Sequence, residues 1–169
     1  IIINIMTYNK QHFISYGDDR PSAVLRIKQQ AESFKTFSTI DIYSNNNIYD
    51  DEFKKKYSYV LNQRRGGGYW LWKYYLINKK IKEIDDGEYI IYCDAGCELN
   101  NKGIKRYYEY LDMLKESNYG FISFPLIWNK KKEPPPNQGC TDKVWTIRQL
   151  FDFLKIDINS EIAGTSQYP

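Results

Sequence analysis

The chain has 169 residues, 42% hydrophobic and 17% aromatic, too much burial energy for a solvated coil and enough for one domain with a real core. Its 24 Lys and Arg against 21 Asp and Glu leave a formal charge of +3, which puts a binder held mainly by nucleic-acid phosphates behind other classes. No apolar run approaches the roughly 18 residues of a membrane span, and the apolar opening is too short, and lacks the basic flank, for a signal peptide.

Residues 1–8 form a short apolar run bounded by Asn9 and Lys10, which predicts a buried strand. A helix is expected over 21–34: Pro21 suits its first turn, Asp18 and Asp19 sit at its positive end, and Val24, Ile27, Ala31 and Phe34 share a face. The β-branched stretch 39–43 reads as a strand with Asn45-Asn46-Asn47 as the loop behind it. A helix over 50–60 would gather Phe53, Tyr57 and Val60 and leave Lys54, Lys55 and Lys56 solvated. Arg64-Arg65-Gly66-Gly67-Gly68 breaks the pattern; a helix resumes over 69–84 and ends at Asp85-Asp86-Gly87. Residues 88–93 are apolar on both faces, as in a strand covered on both sides by helices. A helix over 101–115 would turn Ile104, Tyr108, Leu111 and Leu114 inward, and a strand is expected over 119–124. After a Pro- and Lys-rich stretch over 125–141, a helix over 146–154 would bury Ile147, Leu150, Phe151 and Leu154. This alternation predicts an α/β sheet with covered faces, in a single domain over 1–169 without internal repeats.

Three stretches could carry chemistry. In Arg64-Arg65-Gly66-Gly67-Gly68-Tyr69-Trp70-Leu71-Trp72-Lys73, three glycines let backbone approach a ligand just before a helix N-terminus. Arg64 and Arg65 add forked donors that match phosphate oxygens, and Lys73 adds a charge one turn into the helix. The spacing is not that of a P-loop, and the alternative to anion binding is a plain structural turn with Trp70 and Trp72 in the core. In the second stretch, the apolar strand ends abruptly in Asp94-Ala95-Gly96, with Glu98 close behind. Ligands of open α/β sheets bind beyond the carboxyl ends of strands, and a carboxylate there can hold a divalent cation bound to a diphosphate. The alternative is an Asp that only caps its turn. In the third, Thr146 is a reasonable N-cap, and Trp145 and Arg148 could face a substrate, although an exposed helical Arg is more often only solvated.

His12, the only histidine, reads as a surface or packing residue. With Cys93 and Cys97 it makes a poor zinc site, since no second close ligand pair exists. Cys93, Cys97 and Cys140 are odd in number and contain no Cys-x-x-Cys pair, so free thiols in a reducing, cytoplasmic compartment are expected.

Together, Arg65-Gly66-Gly67-Gly68-Tyr69-Trp70-Leu71-Trp72-Lys73 and Ile90-Ile91-Tyr92-Cys93-Asp94-Ala95-Gly96-Cys97-Glu98-Leu99 resemble the boxes of a family of bacterial and viral glycosyltransferases with the GT-A nucleotide-diphospho-sugar transferase fold. Weaker echoes are Arg26 with Gln30-Ala31, Trp145-Thr146 and Gln167. The resemblance implies a Rossmann-like, mostly parallel sheet with helices on both faces, and transfer of a sugar from a UDP-sugar or similar donor to an acceptor hydroxyl, as in glycan biosynthesis. It implies donor contacts from the strand ends at Thr7-Tyr8 and Asp41, and from Arg64, Tyr69, Trp70, Lys73, Ala95 and Gly96. Arg26 and Arg65 would neutralise the diphosphate. Asp94 would be the catalytic residue, holding the ribose or a divalent metal, Mn²⁺ or Mg²⁺. Trp145, Arg148 and Gln167 would face the acceptor. Related transferases carry Asp-x-Asp where this chain has Asp94-Ala95-Gly96, so one carboxylate is lost; their Pro after Trp-Lys is Tyr74 here. Family members continue beyond the position of Pro169, so the chain, which also starts without Met, is expected to be part of a longer product that is cut short in its acceptor half. A nucleotide-sugar-binding protein without turnover and, further behind, a nucleic-acid-binding module are the competing classes.

Overall fold

The computed structural model describes residues 8–17, 20–44, 48–122, 148–157 and 159. The chain divides into two compact units, Ile1–Arg106 and Tyr107–Pro169. The first holds β1 (Gln11–Tyr16), α1 (Pro21–Phe34), β2 (Thr39–Tyr43), α2 (Asp51–Lys56), α3 (Ser58–Leu61), α4 (Leu71–Glu83) and β3 (Tyr89–Asp94). A 3₁₀ turn, Asn101–Gly103, leads into α5 (Ile104–Glu116), most of which belongs to the second unit, as does α6 (Arg148–Leu154).

The three strands form a parallel sheet in the order β2-β1-β3. The chain is therefore mixed α/β with a small parallel sheet, the coarser part of the expected architecture. The registers Phe13↔Ile40 and Phe13↔Ile91 put these three residues on one face, and side chains alternate from there along each strand. That face meets α1: Phe13, Ile27, Ala31 and Ala95 form a buried cluster, with Val24, Ile40, Ile42, Ile91 and Cys93 packed around it. The other face carries Ile14, Tyr16, Asp41, Tyr43, Tyr92 and Asp94 and meets α4, whose Trp72 and Leu76 are buried with Tyr16 and Ile48. Under that face Lys80, itself buried, donates to Asp41 at 2.8 Å and pairs with Glu83 at 2.9 Å.

The central strand is the main departure from the sequence expectation. Residues 1–7 lie outside the described residues, and Tyr8 is irregular chain ahead of β1. Every residue of β1 is buried, including Gln11, His12 and Ser15, whose polarity disguises a strand covered on both faces. His12 is a packing residue: its Nδ1 lies 3.0 Å from Thr39 Oγ1 and its Nε2 2.9 Å from Glu88 Oε2. Glu88 also accepts from Lys10 Nζ at 2.9 Å and from the backbone of Asp85 at 3.2 Å. The Lys10 ammonium, followed by His12, draws the Glu88 carboxyl down from 4.5 to about 2. A depressed carboxyl contributes stability above its unfolded value and loses it as pH falls through its folded one. Thermal midpoints should therefore drop between about pH 4.5 and 2. In Glu88→Gln that part of the acid limb should flatten; an unchanged acid profile would refute the linkage.

Other boundaries shift for local reasons. The helix expected over 50–60 is two pieces, because Asp50 is the N-cap, accepting from Phe53 N at 2.7 Å, and Tyr57 leaves helical geometry (φ −110°) between α2 and α3. Residues 119–122 are not a strand: Tyr119 is exposed and Gly120 turns the chain at φ 68°. Residues 123–147 lie outside the described residues. In α6 only Phe151 is buried; Leu150 and Leu154, expected inside, are exposed. In α5 Leu111 is buried as expected, while Ile104, Tyr108 and Leu114 are half-buried.

Candidate functional site

The chain leaves β1 through α1 on one face to reach β2, then returns through α2–α4 on the other face to β3. The order 2-1-3 places a topological switch point between the carboxyl ends of β1 and β3, where crevices of open α/β sheets bind ligands. Tyr16, the last residue of β1, is in register with Tyr43 on one side and Asp94 on the other. Gly17 N donates to Tyr43 O at 3.1 Å, and Ala95 N donates to Tyr16 O at 3.3 Å. A Cβ on Gly17 would stand 2.4 Å from Val24 Cγ2, so α1 closes onto the strand end only because that position lacks a side chain.

Asp94 projects from this edge with 52% of its side chain exposed. Lys73 Nζ lies 3.3 Å from Asp94 Oδ1 and 3.5 Å from Oδ2, and the Tyr92 hydroxyl donates to Oδ1. The same ammonium sits 5.0 Å from the ring centroid of Tyr92 and 5.5 Å from that of Trp72. Burial, then the hydrogen bond to Asp94 and its charge, push the Tyr92 phenol upward, so it stays a proton donor. Burial also pushes the Cys93 thiol up to about 11, which keeps it protonated and unreactive on the α1 side. The turn after Asp94 is tied to α1: Arg26 Nη2 donates to Ala95 O at 3.1 Å, Arg26 Nη1 meets Glu98 at 3.2 Å, and Leu99 N donates to Gln30 Oε1 at 3.0 Å.

The glycine-rich stretch has an unusual local geometry. Gly66, Gly67, Gly68, Tyr69 and Trp70 all have positive φ, between 51° and 90°. Tyr69 N donates to Arg65 O at 2.8 Å and Trp70 N to Gly66 O at 3.1 Å, which makes this a turn of left-handed helix. Glycine enters that conformation freely, but Tyr69 and Trp70 cost about 1–2 kcal/mol each there. Strain of this kind persists where surrounding structure over-determines it, and it concentrates at ligand sites. The turn leaves Tyr69 and Trp70 half-exposed and sets the Arg65 guanidinium over the Trp70 ring, 5.8 Å from its centroid. Trp72 then joins this turn to the strand edge. Its indole N–H donates to Gly66 O at 3.0 Å, and its ring stacks on Tyr16 with centroids 4.1 Å apart.

Asp94, Lys73, Arg26, Ala95 and, through Trp72, the turn bearing Arg65, Tyr69 and Trp70 are thus brought to one edge of the sheet. Gly96 faces open space. Arg64 is exposed beside the turn. Asp41 is not at a strand end; it lies mid-strand and is held by Lys80. Tyr8 precedes β1, so the carboxyl end next to Asp94 is that of Tyr16 rather than of Thr7-Tyr8; Thr7 lies outside the described residues. Arg148 opens α6 in the second unit, 3.8 Å from Asp152, and Trp145 and Gln167 lie outside the described residues. Sequence reasoning missed Tyr92 and Tyr16. Two-residue alternation back from Asp94 would have found Tyr92, whereas Tyr16 needed the correct central strand.

A groove of about 570 Å³ runs elsewhere along α4, lined by Tyr49, Asp50, Tyr75, Asn78, Lys79 and Lys82 among others. It excludes Asp94 and the glycine turn, and its two carboxylates are spoken for: Tyr75 donates to Asp50 at 2.7 Å while Asp50 caps α2, and Glu83 pairs with Lys80 at 2.9 Å. The strand edge, with its converging charges, is the better candidate.

The resemblance also implies a divalent metal. Among the described residues no three His, Cys, Asp or Glu side chains gather to hold one. The Lys73 ammonium 3.3 Å from Asp94 repels a cation there, and Glu98, the next carboxylate, is paired with Arg26, so this donor set does not fit a cation site, and no step below passes through a metal. Among the described residues no helix is long and apolar enough to cross a membrane. The chain matches no protein-family model, no curated protein and no solved structure.

Proposed function

We propose that this chain is a glycosyltransferase, taking a sugar from a nucleoside-diphosphate carrier to an acceptor hydroxyl. The observation that carries the reading is the half-exposed Asp94 at the switch point, with the Lys73 ammonium beside it and Arg26 tying the following turn through Ala95 O. Asp94 is suited to accept from ribose or sugar hydroxyls. Lys73 and the Arg65 fork are suited to the diphosphate oxygens, where negative charge grows as the donor breaks. In the transfer, the acceptor oxygen bonds to the anomeric carbon while the bond from that carbon to the phosphate oxygen breaks. The electron pair leaves with the nucleoside diphosphate, and the hydroxyl proton passes to a base or to solvent. The exposed aromatic pair Tyr69 and Trp70 offers ring faces for a base or a sugar, at the strained turn where a ligand is most expected.

The test is a thermal-shift screen of UDP-, GDP- and CMP-sugars, with and without Mn²⁺, followed by an assay for donor consumption. A ligand that binds only the folded state raises its stability by about 2.7 kcal/mol at a hundredfold excess over Kd. No shift with any donor would reject the reading, and a shift without sugar transfer or donor hydrolysis would leave a nucleotide-sugar-binding protein. Arg65 is exposed and stacks only on a half-exposed ring, so Arg65→Ala should weaken donor binding about tenfold with little change in unfolding midpoint. Calorimetry giving equal affinities would remove Arg65 from the site.

A further inference from the structure

The counter-charge that a nucleoside diphosphate needs is already built into the edge of the sheet. Lys73 stands in the first turn of α4, where the helix dipole disfavours a cation, so its place must be secured by other partners. It is secured by Asp94 on one side and by the faces of Tyr92 and Trp72 on the others. Trp72 is itself fixed by Gly66 and Tyr16, so the ammonium is held by a rigid frame. Meanwhile the second carboxylate position of an Asp-x-Asp pair is Gly96, which has nothing within 4 Å of where a Cβ would be. Lys73 and Tyr92 already donate to Asp94, and the ammonium stands on the carboxylate that would have to hold a cation.

We infer that Lys73 supplies the positive charge for the donor's diphosphate in place of a divalent cation, so that nucleotide binding at this edge does not require a metal. The inference rests on the glycosyltransferase reading above and deepens it. An ammonium has three N–H donors, so Lys73 can keep its contact with Asp94 and still donate to a phosphate oxygen arriving from the open side. The Asp94 carboxylate then orients the ammonium rather than a metal ion. The 37% exposure of the Lys73 side chain leaves that open side available.

The experiment is calorimetric titration of the chain with UDP, GDP and CDP, once in EDTA and once in excess Mn²⁺, on the wild type, Lys73→Gln and Lys73→Arg. The inference expects one nucleotide to bind the wild type in EDTA with a Kd within about threefold of the Mn²⁺ value. It expects Lys73→Gln to lose about tenfold or more in EDTA, the loss of one charge-assisted contact, and Lys73→Arg to recover much of it. Circular dichroism matching the wild type assigns such a loss to the site, and the Arg variant guards against a merely unfolded Gln variant. Binding that appears only with Mn²⁺, or Lys73→Gln binding undiminished in EDTA, overturns the inference and leaves the nucleotide reading standing. No binding of any of the three in either buffer overturns both.

Discussion

Replacing Asp94 with Asn is expected to slow sugar transfer by about a hundredfold or more, the size of losing one preorganised electrostatic contact at a reacting centre. The amide keeps the shape of the side chain and can still accept from Tyr92, so what is removed is the negative charge. Two consequences follow at once. On the proposed reading, hydroxyls of the donor would lose a charged acceptor, and Lys73 loses the group that orients its ammonium. Among the described residues Glu98 is the nearest carboxylate in sequence, but it is engaged by Arg26. Stability should change little, because an ion pair this exposed is worth about 1 kcal/mol at most. Rates of donor consumption, read beside urea unfolding of the same preparations, separate the two effects. A variant that transfers sugar at the wild-type rate would end the catalytic assignment.

The second large effect is on folding. Gly68→Ala is expected to destabilise by about 2–3 kcal/mol, combining the cost of a side chain in the left-handed region with overpacking. Gly68 is buried with φ 90°, and a Cβ there would lie 3.0 Å from the Cα of Leu61 and 3.2 Å from the carbonyl oxygen of Val60. Both are backbone atoms, so relief requires α3 itself to move. Gly67→Ala is the control. It shares the positive φ of 56°, but its Cβ would meet nothing closer than the Trp72 indole nitrogen at 3.9 Å. Only the conformational cost of about 1–2 kcal/mol remains at that position. Urea midpoints that rank the two variants equally would show that contact with Leu61 does not matter.

Local chemistry made much of this molecule legible. Pro21 and the Ile27/Ala31 spacing placed α1 at its observed bounds, and the β-branched 39–43 run placed β2. The abrupt change from Tyr-Ile-Ile-Tyr-Cys to Asp94 placed both the end of β3 and the leading candidate residue. What failed was what depends on partners distant in sequence. Gln11, His12 and Ser15 look like loop residues until Thr39 and Glu88, far along the chain, satisfy the imidazole in the middle of the sheet. Asp41, which the resemblance assigns to the donor, is held instead by Lys80 from the far end of α4, a partner that nothing nearby in sequence reveals. The glycines announced a break, but left-handed Tyr69 and Trp70 run against their ordinary preference. Only the bonds to Arg65 and Gly66 disclose them.

The reverse-handed turn also sets a phase. Because the backbone winds backwards from Gly66 to Trp70 and then starts α4 at Leu71, the rotational setting of that helix is fixed by the number of residues in the turn. One residue more or fewer would rotate every side chain of α4 by about 100°. Trp72 would swing off Tyr16, Lys73 off Asp94 and Lys80 off Asp41 together, so core, charge pair and edge share a single angular adjustment. This stretch can therefore change its letters at the exposed ring positions far more readily than it can change its length.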